Sequence, residues 1–76
     1  MEHFLKIQPQ YFEEVRNGNK SFEIRKNDRD FKVGDTLYLQ EYNPLAQEYT
    51  GEVVKREITY ITNYAQQENY IVMAIV

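Results

Sequence analysis

The sequence has 76 residues, of which 42% are hydrophobic and 14% aromatic, so it encodes one small domain (residues 1–76) and not a multidomain enzyme. It contains no cysteine, which excludes disulfides, thiolate metal sites and a cysteine nucleophile. His3 is the single histidine, so we expect no metal site and no cofactor. A chain of this length buries only about 60% of the surface that it exposes when unfolded, and the eleven tyrosines and phenylalanines must supply much of its core.

The formal net charge of −3 by itself disfavours a partner made of phosphates. The charge is unevenly distributed, however. Residues 20–32 contain five basic side chains against three acidic ones, a balance of +2, whereas the rest of the chain contains four against nine, a balance of −5. The sequence therefore predicts a small basic site on an acidic body.

The first residues carry no basic leader before a long apolar run, and no window approaches eighteen uninterrupted apolar residues. Secretory signals and membrane-spanning helices have those features. We therefore expect a soluble, cytoplasmic protein with no membrane partner.

The beginning of the chain predicts a strand followed by a helix. Residues 3–7 form a short apolar run before Pro9, and proline suits the first turn of a helix. In residues 10–17 apolar side chains recur at intervals of three and four, and Gly18 supplies a C-terminal stop. The apolar stripe of this helix consists of Tyr11, Phe12 and Val15. So short a helix is unstable alone, so we expect it to dock on a sheet through Phe12 and Val15.

After the helix, the period of the hydrophobic pattern changes to two. Phe22 and Ile24 alternate with Ser21, Glu23 and Arg25, which predicts a strand with one apolar and one polar face. We expect Phe22 and Ile24 to face the core. Glu23 and Arg25 should then share the outward face.

A charged loop (residues 26–31) and a tight turn (residues 33–35) lead into a predicted strand at residues 36–42, in which Leu37 and Leu39 share one face. Asn43-Pro44 opens a wide loop that closes at Thr50-Gly51.

Two further strands complete the prediction. Residues 52–62 place Val54, Ile58 and Tyr60 on one side, and residues 70–76 are apolar on both faces, as in a central strand. The polar segment 63–69 between them is expected to be a loop.

This order of elements predicts an α+β, mostly β fold: a small mixed β-barrel of about five strands with one short helix after the first strand. Closing the sheet removes exposed strand edges, and the helix plugs one end. An open α+β sandwich is the alternative.

The densest chemical feature is the segment 18–25 together with the charged loop that follows it. A carboxylate and a guanidinium two residues apart, Glu23 and Arg25, orient one another, and Lys20 and Arg29 add positive charge. Such a group suits holding a phosphate and reading a base edge. The alternative, which the residues alone favour, is a solvated charged strand and loop whose surface ion pairs contribute at most about 1 kcal/mol each.

Other candidates are weaker. His3 is either a general base or a strand-entry residue held by a hydrogen bond, and the second role is preferred because no nucleophile is assigned beside it. Of five tyrosines, most are expected to pack with their hydroxyls at the barrel rim, and no more than one or two to stack on unpaired bases. The five are Tyr38, Tyr42, Tyr60, Tyr64 and Tyr70.

The spacing of Gly18, Lys20, Glu23 and Arg25 resembles the G-x-K-x-x-E-x-R signature of the ASCH (activating signal cointegrator homology) domain, whose fold is a PUA-like β-barrel. Several other stretches look like its short bacterial and phage subfamily of unknown function. They are residues 3–7, 22–31, 33–35, 41–44 and 49–51. The resemblance covers nearly the whole chain.

ASCH proteins are thought to bind RNA, and their signature residues line a cleft between the helix and the barrel. The resemblance therefore implies that Lys20, Glu23 and Arg25 lie in such a cleft, with Arg29 and Lys6 as further candidates. Strand parity groups Glu23 with Arg25 but not with Lys20. Lys20 joins them only if it belongs to the turn after the helix.

A related branch resembles an amidohydrolase that acts on acetylated cytidine through a lysine, a threonine three residues later and a more distant glutamate. Here Glu23 stands where that threonine would be, and the Ser21 hydroxyl is at the wrong offset. We therefore expect a binding protein instead of an enzyme. The preferred ligand is single-stranded or looped RNA, or a modified nucleotide, bound weakly through about two to four phosphates. The alternatives are the amidohydrolase and a protein-interaction module.

Overall fold

The computed structural model describes residues 1–76 as five strands and one helix. In chain order these are β1 (Glu2–Ile7), α1 (Pro9–Arg16), β2 (Phe22–Lys26), β3 (Thr36–Asn43), β4 (Glu48–Thr62) and β5 (Tyr70–Ile75). The strands form one mixed sheet in the order β1-β3-β4-β5-β2, in which only β1 and β3 run parallel. The predicted mostly β class, with one short helix after the first strand, is confirmed. The eight residues of α1 are too few to cross a membrane.

The sheet is open, because its edge strands β1 and β2 are not paired with each other. Two arginine side chains, one from β2 and one from the loop that follows it, reach across the gap to β1. Arg25 Nη2 donates to the Lys6 carbonyl oxygen at 2.7 Å, and Arg29 Nη1 donates to the Phe4 carbonyl oxygen at 3.0 Å. We call this gap the seam.

The core lies between α1 and the concave side of the sheet. Phe12 and Val15 of α1 are each only 1% exposed, and the helix lies against β3 and β4. Leu37 and Leu39 of β3 are fully buried beneath them. The predicted docking of the helix and the predicted shared face of the two leucines are both confirmed.

The turn after α1 requires the glycine that the sequence places there. Gly18 has a φ of +85°, which other residues adopt only with strain, and its N–H donates to the Val15 carbonyl oxygen. Lys20 is still in this turn, since its backbone N–H donates to the Glu14 carbonyl oxygen at 2.9 Å and β2 begins only at Phe22. Strand parity therefore does not apply to Lys20.

The predicted orientation of β2 is wrong. Glu23 is buried and only 3% exposed, whereas Phe22 and Ile24 are 42% and 48% exposed. Alternation determines which side chains share a face, but it does not determine which face points inward. The side chains of Lys20 and Arg25 compensate the charge of the buried Glu23 carboxylate. Because β2 is an edge strand, Phe22 and Ile24 remain accessible at the seam.

The face assigned to Tyr60 is also wrong. Val54 and Ile58 are buried as predicted, but Tyr60 is 64% exposed. The register shifts between Ile58, opposite Ile75, and Tyr60, opposite Ala74. A bulge inserts one unpaired residue and so reverses the alternation beyond it.

The predicted wide loop is a four-residue loop at 44–47, because β4 already starts at Glu48. Thr50-Gly51 resembles turn chemistry but lies within the strand. Gly51 has a φ of +95° and lies where the β3–β4 register shifts. It therefore forms part of a β-bulge and does not end the strand.

β5 is central, as predicted, with β4 on one side and β2 on the other. Ile71, Met73 and Ile75 are buried, whereas Val72 and Ala74 on the other face are only half-buried. The strand is therefore fully covered on one face only, so the prediction that both of its apolar faces are covered is wrong. The segment 63–69 before it contains no helix or strand, as predicted.

Candidate functional site

A cleft of about 500 Å³ opens at the seam, where the end of β1, the start of α1 and β2 meet. It is within the range of small-molecule sites, about 300–1,000 Å³. Its lining consists of Lys6, Ile7, Gln8, Tyr11, Lys20, Phe22, Glu23, Ile24 and Arg25. We call this site the seam cleft.

Glu23 organises the charged side of the seam cleft. Its Oε1 accepts a hydrogen bond from Lys20 Nζ at 2.6 Å, and its Oε2 accepts one from Arg25 Nε at 2.9 Å. The carboxylate side chain is 4% exposed, and the lysine and arginine side chains are 19% and 26% exposed. These three residues therefore form a mostly buried ionic cluster, and the alternative of a solvated charged strand is wrong for them.

Lys20 has two of its three N–H donors engaged. Its Nζ donates to Glu23 and, at 2.8 Å, to the Phe22 carbonyl oxygen. The ammonium also lies 4.8 Å from the centre of the Phe22 ring and 5.8 Å from that of Tyr11. One N–H donor remains for a ligand.

Arg25 spans the seam. Its Nε is held by Glu23 and its Nη2 by the Lys6 carbonyl oxygen, which leaves three of its five N–H donors unused. Because both ends of the guanidinium are fixed, these donors keep a defined direction. With Lys6 and Lys20 against Glu23, the lining of the seam cleft carries a formal charge of +2.

Lys6 and Arg29 occupy different places around this site. Lys6 lines the seam cleft, but its ammonium lies 4.3 Å from the centre of the Tyr42 ring, at the rim. Arg29 is not part of the lining, because its guanidinium is directed to the Phe4 carbonyl oxygen on the edge of β1. Four of the five residues singled out in the sequence therefore meet in the cleft.

The sequence did not indicate the other five residues of the lining. They are Ile7, Gln8 and Tyr11 near the junction of β1 and α1, and Phe22 and Ile24 of β2, which were expected to face the core. Tyr11 was assigned to the apolar stripe of the helix, yet it is 49% exposed and forms a wall of the cleft. Tyr11 and Phe12 project about 100° apart around the helix and so lie at opposite edges of the stripe, and the sequence does not decide which edge is exposed. The tyrosines singled out from the sequence all lie outside this cleft.

His3 has a structural partner away from the cleft. Its Nε2 lies 2.8 Å from Asp35 Oδ2, and the imidazole is 4% exposed beside the Phe31 ring. Asp35 also accepts from the Met1 α-amino group and from the Lys32 backbone N–H. The His3 hydrogen bond is the main cause of a lowered Asp35 pKa of about 2, with the other two donors acting in the same direction. This arrangement agrees with the strand-entry role.

The lining of the seam cleft contains no serine or threonine. Ser21 is exposed, and its backbone carbonyl oxygen accepts a hydrogen bond from the N–H of Ile75 in β5. No group of three or more histidine, cysteine or acidic side chains is positioned to hold a metal ion. The chemistry that this lining offers is donation of hydrogen bonds from cations beside an apolar wall.

Comparison with known proteins places this architecture in a family. Residues 2–75 match the family model described as "Domain of unknown function (DUF3850)". The chain belongs to the DUF3850 family. A relative from Escherichia phage P2, named "Uncharacterized 12.9 kDa protein in GpA 3'region", is 36% identical over 72 residues. That match covers 93% of this chain and 64% of the phage protein, so the chain spans less than two thirds of that relative.

Proposed function

We propose that the seam cleft binds single-stranded RNA or a modified nucleotide, with one nucleotide seated against Lys20 and Arg25. The observation that carries the proposal is the convergence of these two cations on one buried carboxylate, Glu23, at the wall of a cleft of about 500 Å³. Glu23 acts as a positioning residue. It holds the two donors in place and leaves four of their N–H groups to the ligand.

The unused donors match the acceptors of a nucleotide. Phosphate oxygens, and base carbonyl oxygens and ring nitrogens, accept hydrogen bonds from arginine and lysine. The positive charge of the lining favours an anion despite the negative charge of the whole chain. Tyr11 and Phe22 add exposed aromatic surface on which a base can stack.

The size of the cleft favours an unpaired nucleotide. A cleft of this volume accommodates a single base with its sugar, and a base can enter it only when it is not paired in a helix. Proteins read RNA sequence mostly from such unpaired bases, because side chains cannot reach into the deep major groove of an A-form helix.

The same proposal includes the relationship to ASCH domains. We regard the open sheet as a PUA-like barrel whose last gap is bridged by Arg25 and Arg29 instead of a backbone ladder. The placement of Lys20, Glu23 and Arg25 in a cleft beside the helix supports this relationship. Hydrolysis of an acylated cytidine is not favoured, because no aliphatic hydroxyl lines the cleft.

The test is a titration of a fluorescently labelled, single-stranded RNA oligomer at several salt concentrations, followed by fluorescence anisotropy. With two to four phosphates contacted, log Kobs should fall against log salt with a slope of about −1.4 to −2.8, at about −0.7 per phosphate. Arg25→Met should weaken binding by about tenfold or more, since it removes charge-assisted hydrogen bonds.

Lys55→Met is the matched control, because it removes one positive charge from an exposed position of β4 outside the cleft. It should change affinity by less than about twofold, because salt screens a charge that does not contact a phosphate. Far-UV circular dichroism and thermal unfolding establish that Arg25→Met is folded, and Arg25→Lys tests charge without the fork geometry. RNA binding that is absent at low salt, or equal in Arg25→Met and wild type, contradicts the proposal.

A further inference from the structure

A second cleft of about 260 Å³ adjoins the first. It is lined by Lys6, Ile7, Gln8, Tyr42 and Pro44, and the first three of these also line the seam cleft. The two clefts therefore meet at the junction of β1 and α1. Lys6 lies on their common boundary.

An aromatic pair borders the second cleft. Tyr42 and Tyr49 are cross-strand partners on β3 and β4, with ring centres 5.0 Å apart and ring planes at 74°. This edge-on contact fixes the plane of the Tyr42 ring. Tyr49 is 49% exposed and Tyr42 is half-buried, so the pair is rooted in the sheet yet open to solvent.

The Lys6 ammonium lies over the Tyr42 ring, 4.3 Å from its centre. A flat group such as a base can replace the ammonium of an exposed lysine on an aromatic face, because the lysine regains its hydration when it leaves. Lys6 lines both clefts, so its ammonium stays within reach of their common boundary. A phosphate that joins two nucleotides would lie at this boundary.

We propose that the second cleft is a subsite for a second RNA nucleotide, whose base stacks on Tyr42 while the linking phosphate is bound by Lys6. The inference rests on the proposed function, because it assumes that the first nucleotide occupies the seam cleft. Pro44 supplies an apolar edge for the base. Gln8 contributes its side-chain NH2 group as a donor to a base edge, since its amide oxygen already accepts from Gln10. The ligand is thus at least two consecutive unpaired nucleotides.

The experiment compares three ligands by isothermal titration calorimetry: adenosine 5′-monophosphate, adenosine 3′,5′-bisphosphate and the 5′-phosphorylated dinucleotide pApA. The bisphosphate carries the linking phosphate without the second base. Wild-type protein should bind pApA about five to 150 times more tightly than the bisphosphate, the range that corresponds to stacking of one base on an aromatic ring.

Variants at Tyr42 identify the ring responsible. Tyr42→Leu should abolish the preference for pApA and leave the affinity for the monophosphate within about twofold, whereas Tyr42→Trp should preserve or increase the preference. Tyr60→Leu is the matched control, since Tyr60 is an exposed tyrosine of β4 outside both clefts. If Tyr42→Leu is unfolded, NMR shifts of the Tyr42 and Tyr49 ring protons in wild-type protein, caused by pApA and not by the bisphosphate, provide the same test.

The outcomes separate the two proposals. Equal affinity of wild type for pApA and the bisphosphate, or an undiminished preference in Tyr42→Leu, overturns the second subsite while binding of the monophosphate still supports the first. If none of the three ligands binds and a longer RNA does not bind either, both proposals are overturned. Loss of the preference in Tyr60→Leu also overturns the assignment to Tyr42.

Discussion

Replacing Glu23 with glutamine tests the ionic cluster at the seam cleft most directly. Glu23→Gln keeps the shape of a side chain that is only 4% exposed but removes its charge. The amide can accept from one cation only, because its NH2 group is a donor that faces the donors of the other. Lys20 and Arg25 are then left close together without a compensating carboxylate.

The expected loss of unfolding free energy follows from burial. Removing one partner of a fully buried ion pair costs about 3–5 kcal/mol. Here the two cations retain 19% and 26% exposure and can turn towards water, and glutamine keeps one acceptor. We therefore expect a loss of about 2–4 kcal/mol. A domain of this size has only roughly 4–11 kcal/mol in total, so the variant should melt about 10–30 °C lower.

The assay is urea unfolding followed by far-UV circular dichroism, with Glu48→Gln as the control. Glu48 is an exposed carboxylate at the start of β4, and its replacement should change stability by less than about 0.5 kcal/mol. A double-mutant cycle with Lys20→Met should give a coupling of about 0.5–3 kcal/mol. Equal stability of Glu23→Gln and Glu48→Gln would refute the reasoning that the carboxylate is buried between two cations.

Three further predictions concern the frame around the cleft. Gly18→Ala should lower stability by about 1–2 kcal/mol in urea unfolding, because alanine is strained at a φ of +85° although no atom obstructs its Cβ; a neutral result would mean that the turn adopts another conformation. Arg29→Met should lower stability by less than Arg25→Met and leave affinity for adenosine 5′-monophosphate within about twofold, because Arg29 bridges the seam outside the cleft. The pKa of Asp35 is lowered from 3.8 to about 2, chiefly by the His3 hydrogen bond, so its contribution to stability is complete above about pH 4 and is lost as the pH falls towards 2. Between pH 4 and pH 2 the urea midpoint of Asp35→Asn should therefore fall less than that of the wild type. An equal fall in the two proteins would contradict the assignment.

Much of the fold was predictable, since it depends on local chemistry. The strand before Pro9, the helix ending at Gly18 and the buried pair Leu37 and Leu39 follow from hydrophobic period and from proline and glycine preferences. Two exceptions are places where a bulge breaks the period. Gly51 and the residue before Tyr60 lie at such bulges, and a bulge depends on the register between two paired strands, which the pattern within one strand does not indicate.

The charged members of the candidate site were predictable, but its apolar wall and its geometry were not. Spacing and the family resemblance singled out Lys20, Glu23 and Arg25, which the fold brings together. The pattern could not indicate that Glu23 points inward, because the inward face of an edge strand depends on what lies across the sheet. Nor could it place Tyr11 in the same cleft, since that contact depends on how the helix is rotated against β2.

The sequence by itself determined the mostly β class, the lack of cysteine and the basic segment on an acidic chain. These properties depend on composition and on neighbours along the chain. Only the tertiary structure decided that the sheet stays open, that Arg25 of β2 and Arg29 of the following loop reach across to β1, and that two clefts meet at Lys6. Those features join residues far apart in the chain, and their free energy comes from burial and charge pairing that exist only once the strands are assembled.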